Sequence, residues 1–100
     1  MTNCDVFNLA IAEFGEEHQE AKAIEECSEL IQAISHKHCG REHNIAEEIA
    51  DVEIMLEQLK IIGDCHADVE RIKARKIVRL FKKILNRNGR AFVIMRGVRG

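Results

Sequence analysis

The chain of 100 residues has no proline, no tryptophan and no tyrosine, and only four phenylalanines. Without proline, nothing forces a helical pattern to break in its interior. Without large aromatics a sheet core is poorly supplied, and the 46% apolar content points instead to aliphatic side chains packed between helices. No run approaches the roughly 18 apolar residues that a membrane-spanning helix needs, which argues against a membrane role. The opening stretch "MTNCDVFNLA" lacks the basic region and apolar run of a secretory signal, so a cytoplasmic protein is expected. Cys4, Cys27, Cys39 and Cys65 show no CxxC spacing, which predicts reduced thiols. Solenoid repeats and low-complexity segments are absent too.

A further absence is local. Residues 71–100 hold 11 Lys/Arg and no acid, whereas all 17 acids lie in residues 1–70, beside only Lys22, Lys37, Arg41 and Lys60. The net charge of −2 conceals this split. The basic end either neutralises the acidic part, within or between subunits, or binds a polyanion. A small phosphate ester held between a metal and Lys/Arg would use both regions.

What is present reads as helix. Asp5 to Phe14 is a short amphipathic pattern interrupted by Gly15. Glu16 to about His38 is a long one, with acids in its first turn where the helix dipole favours them. Cys39 to His43 is a loop, with Gly40 ending the helix. Asn44 is placed to cap a third helix, and Glu47, three residues on, would complete a capping box. Gly63 stops that helix after Ile62. Asp64 or Asp68 starts a fourth, reaching about Asn86. These elements predict an all-α bundle of about four helices in one domain, residues 1–88. Residues 89–100 form a basic, apolar tail able to pair as a strand or to dock on a neighbour. So much aliphatic surface on so short a chain predicts a homo-oligomer, dimer or tetramer.

Two helices share an oddity. With Ala23 at 0° and about 100° per residue, Cys27, Leu30 and Ile34 form an apolar stripe, while Glu26 falls near 300° and Glu29 near 240°. With Ile45 at 0°, Ile49, Val52, Leu56 and Leu59 form the stripe, with Glu48 near 300° and Asp51 near 240°. Glu25 and Glu47 face away. The short loop predicts antiparallel neighbours, and the two-fold relation of such a pair brings Glu26, Glu29, Glu48 and Asp51 to one rim. Four adjacent carboxylates repel one another and resist desolvation. Hard divalent cations such as magnesium or manganese would relieve both. From geometry alone a solvated acidic edge is an equal alternative. Lys22, one turn before Glu26, is placed to pair with it. The group His36, His38, Cys39 and His43 lacks regular zinc spacing and is a weaker candidate.

"GEEHQEAKAIEECSELIQAI" followed by "AEEIADVEIMLEQL" resembles the MazG-like all-α nucleoside triphosphate pyrophosphohydrolases, in the wording of short phage and prophage members. The family hallmark is ExxE, a spacer, then ExxD; here these are Glu26-x-x-Glu29 and Glu48-x-x-Asp51. Phe14, Gly15 and Gln19 before the first motif fit as well. Lys76 and Arg79 fit the Lys-x-x-Arg of the family's basic helix. The likeness spans about residues 5–87. It implies magnesium-dependent hydrolysis of a nucleoside triphosphate to a monophosphate and pyrophosphate. Metal ligands would be Glu26, Glu29, Glu48 and Asp51, with Glu29 as proton acceptor. Substrate contacts would come from Lys76, Arg79 and Lys22. Two other readings stand beside it: the related phosphoribosyl-ATP pyrophosphohydrolase of histidine synthesis, and a non-catalytic helical adaptor binding a polyanion through its basic helix. Binding of nucleic acid is the weaker form of the last, because Phe81 is the basic stretch's one aromatic before the tail and no groove-reading motif accompanies it.

Overall fold

A computed structural model describes residues 1–87, and within them the chain is all-helical: α1 (Asn3–Phe14), α2 (Glu16–His38), α3 (Ile45–Ile62) and α4 (His66–Leu85), with no strand among the described residues. The basic tail lies outside the described residues. No helix among them is long and apolar enough to cross a membrane. The chain divides into two compact units, Met1–Cys65 and the part from His66 onward.

In the first unit, α1 starts two residues earlier than Asp5, and a capping box explains why. The Asp5 backbone N–H donates to Thr2 Oγ1 at 3.1 Å, and the Thr2 N–H donates back to the Asp5 carboxylate at 2.8 Å. Gly15 separates α1 from α2 with φ at +93°, a conformation costly for any residue with a Cβ. It also closes both helices: its N–H reaches the Ile11 carbonyl, and its own carbonyl accepts from Gln19. The last turn of α2 carries His36, Lys37 and His38 at the negative end of the helix dipole. The capping box expected at Asn44 does not form. The Asn44 side-chain amide instead donates to the Glu47 carboxylate at 3.1 Å, a charge-assisted bond that uses up the group the cap required.

α2 and α3 are antiparallel, and two side-chain meetings fix their register. Gln19 near the start of α2 meets Gln58 near the end of α3, while Glu26 and Glu29 meet Glu48 and Asp51. Seven residues forward on α2, from Gln19 to Glu26, match seven back on α3, from Gln58 to Asp51. α1 packs against both helices.

The line of contact is not the stripe expected. On α2 it runs through Gln19, Ala23, Glu26 and Ala33, with Leu30 half-buried; Cys27 and Ile34 are exposed. On α3 it runs through Val52, Met55 and Gln58, with Leu59 half-buried; Ile49 and Leu56 are exposed. Steps of three and four residues are those of a two-helix seam, narrower than either helix's apolar arc. Ala23 and Ala33 are buried, and side chains this small permit close helix approach on the side of the arc where the carboxylates lie. No large side chain among the described residues is fully buried.

The second unit is represented by α4. It begins at His66, between the two starts expected, after Asp64 turns the chain with φ at +47°. Arg71 pairs with Asp68 at 3.1 Å and Lys73 with Glu70 at 3.6 Å. None of its residues is buried.

Candidate metal centre

The rotated seam changes the standing of the carboxylates: they lie in the contact line rather than beside it. Glu26 is 8% exposed, deeper than any apolar residue of α2 except Ala23 and Ala33. Glu29, Glu48 and Asp51 are half-buried. Each of the four offers an oxygen, and these oxygens lie within 4.8 Å of one another. Oxygens on opposite sides of one hard cation are about 4.0–4.2 Å apart for magnesium and about 4.6–5.2 Å apart for calcium. At 4.8 Å the set falls within the calcium span and slightly beyond the magnesium one, before any adjustment of the side chains.

Two oxygens make the case sharper. Glu26 Oε2 and Glu48 Oε2 are closed off from solvent and have no hydrogen-bond partner. A buried carboxylate oxygen without a partner is costly, and native structures seldom leave one so. The donor set is all carboxylate oxygen, which suits a hard divalent cation and not a thiolate- or imidazole-seeking one.

The local field agrees. The Glu29 carboxyl is held above its ordinary value, first by the negative charge of Glu26, then by desolvation and by the charge of Glu48. The cation within reach is Lys22, whose Nζ lies 3.1 Å from Glu26 Oε1 and 3.7 Å from Glu25 Oε1. Glu25 itself is exposed, as its angle on the helix predicts, and so is Glu47.

Two turns along the seam Gln19, noted in the sequence only for its likeness to the family, has a partner that was not foreseen, Gln58. Gln19 Nε2 donates to Gln58 Oε1 at 2.7 Å in a buried setting, and the Gln19 side-chain oxygen Oε1 lies 2.8 Å from His18 Nδ1. The His18 ring in turn stacks on Phe14, centroids 5.5 Å apart. Gln19 sits one heptad before Glu26, and Gln58 one heptad after Asp51. That shared spacing was the available signal for a polar pair continuing the seam.

Lys76 and Arg79 lie one turn apart on α4 and are exposed; with Lys82 and Lys83 they line a shallow groove along that helix. The four cysteines are free, and Cys27, expected in the core, is exposed because the seam runs on its far side. Compared with models of protein families, with curated proteins and with solved structures, the chain matches none.

Proposed function

We propose that the protein is a magnesium-dependent nucleoside triphosphate pyrophosphohydrolase of the MazG-like kind. The observation that carries this reading is the convergence of Glu26, Glu29, Glu48 and Asp51 with two solvent-excluded, unpaired carboxylate oxygens among them. Magnesium held by these residues would bind phosphate oxygens and make an attacking water more acidic.

The chain's own groups do the rest. Glu29, one of the clustered carboxylates, accepts the proton of the attacking water. The water oxygen bonds to the α phosphorus, the bond from that phosphorus to the bridging oxygen breaks, and pyrophosphate leaves. Glu26, Glu48 and Asp51, with Glu29, would hold the cation to which the phosphate oxygens bind. Lys76 and Arg79, in the second unit, are assigned to the departing pyrophosphate on the strength of the sequence resemblance; cationic groups belong where negative charge develops.

Assembly belongs to the same reading. Ile24 is 73% exposed and Ile31 68%, and Ile34, Ile49 and Leu56 are also open to solvent. That is a large apolar face for a chain with so thin a core, and it favours a homo-oligomer in which a second copy covers it. Light scattering that finds a folded monomer at micromolar concentration would count against this.

A non-catalytic adaptor is the second reading. It is favoured by α4, whose seven Lys/Arg and exposed Ile77, Leu80 and Phe81 form a surface able to bind a polyanion without any chemistry. The deciding experiment is pyrophosphate release with magnesium across a panel of nucleoside triphosphates and phosphoribosyl-ATP. Turnover of a nucleoside triphosphate supports the hydrolase, turnover of phosphoribosyl-ATP alone transfers it to the histidine-pathway chemistry, and no turnover leaves the adaptor.

A further inference from the structure

Lys22 sits where a cation is most needed. It lies on the carboxylate side of α2, one turn from both Glu25 and Glu26 and two turns from Glu29. Its Nζ approaches Glu26 Oε1 to 3.1 Å, while Glu26 Oε2 has no partner. Among the described residues Lys22 pairs with a cluster carboxylate, at Glu26, while Lys60 pairs with Glu57. The ammonium already leans on a second carboxylate, for it also pairs, more loosely, with Glu25 Oε1 at 3.7 Å. The Lys22 side chain is 43% exposed and that of Glu25 58%, against 10% for Glu26, so the move from Glu26 to Glu25 is a move outward into solvent.

We propose that Lys22 is the resident counter-ion of the carboxylate cluster, and that a divalent cation entering the cluster drives its ammonium from Glu26 to Glu25. The inference rests on the metal reading above and adds to it a residue outside the ligand set. Without a cation, four clustered carboxylates would strain the seam, and one tethered positive charge reduces that repulsion. With a divalent cation bound, the same ammonium faces a larger positive charge a few ångströms away, and Glu25 offers it an exposed alternative. Occupancy of the site thus involves an exchange of cations. An entering ion must outcompete a tethered ammonium, which disfavours singly charged ions and selects doubly charged ones.

The test uses the full chain and manganese or magnesium alone, with calorimetric titration and thermal unfolding as readouts. Lys22→Met keeps the aliphatic stem and removes the charge. It should bind the divalent ion about threefold to thirtyfold tighter than wild type, because a repelling charge beside the site is gone. It should also melt at a lower temperature without metal and show a larger metal-induced rise. Lys22→Arg, with the charge kept, should stay within about twofold of wild type. Glu25→Gln removes that second carboxylate and should weaken binding severalfold, a loss that shrinks in the Lys22→Met background. Unchanged or weaker binding by Lys22→Met, with the wild type binding normally, overturns the counter-ion role and leaves the metal reading intact. A wild-type chain that binds no divalent ion overturns both.

Discussion

α4 and the α2–α3 pair stand in opposite relation to their own sequences. Along α4 the apolar residues separate cleanly from seven Lys/Arg, yet none of its residues is buried. Along α2 and α3 acids and amides interrupt the apolar positions, yet the unit's core is built there, and it includes Gln19, Glu26 and Gln58. Periodicity states which face of a helix favours leaving water. Whether it leaves depends on a second surface, which α2 and α3 supply to each other across a six-residue connection. Burial among polar groups then makes the difference functional: charges on α4 are solvated and individually weak, while those in the seam are few, close and poorly hydrated.

The sharpest test of this contrast is chemical. Glu29→Gln or Asp51→Asn should lower magnesium-dependent pyrophosphate release by about a thousandfold or more, with circular dichroism showing the helices intact. Glu25→Gln, one turn away but exposed, should cost far less. Equal losses in all three would erase the distinction between seam and surface carboxylates.

The next largest effect concerns the basic helix. Lys76→Ala and Arg79→Ala should each reduce kcat/KM by roughly tenfold to a thousandfold, corresponding to about 1.4–4 kcal/mol of lost transition-state stabilisation. Lys82→Ala and Lys83→Ala should change it little. A flat profile across Lys73, Lys76, Arg79, Lys82 and Lys83, with binding of a polyanion that falls steeply with salt, would make α4 an independent docking surface.

Stability probes the seam itself. Gln58→Ala leaves the buried Gln19 amide without its partner and should cost about 1–3 kcal/mol in chemical denaturation. Replacing Gln19 and Gln58 together with leucine should cost less than the two single losses summed, because no polar group is then stranded.

The smallest effect is in pH dependence. Glu29 has a folded-state carboxyl raised above its ordinary 4.5, so the folded protein holds that proton more tightly than the unfolded chain does. The metal-free protein should therefore gain stability as pH falls from neutral through the window just above 4.5, and Glu29→Gln should flatten that gain. Asp5 acts oppositely. Its carboxyl is lowered below 3.8 by the backbone and then the side-chain hydrogen bond with Thr2, so its contribution is lost only as pH falls through that lower value. Urea midpoints measured across pH with a chelator present would separate the two.

The sequence by itself determined the helices and the meeting of the acids. Gly15 and Gly63 mark ends that hold to the residue, because a helix stop is a local backbone event. The convergence of Glu26, Glu29, Glu48 and Asp51 was legible too, since equal offsets on two antiparallel helices lead to one place whichever edge of the apolar arc is used. Thr2-x-x-Asp5 was an unread cap, and Asn44-x-x-Glu47 a cap on paper whose side chains bond to each other. Only the tertiary structure decided where the seam lies within each apolar arc. That choice moved Cys27, Ile34, Ile49 and Leu56 outward and carried Gln19, Gln58 and Glu26 inward. The reason is that helical angles rank positions around one helix, while close approach is settled by the sizes of side chains on two. Here the buried residues of α2 are small alanines beside a glutamate, and the same contact that buries Glu26 leaves it an unpaired oxygen that a cation could bind.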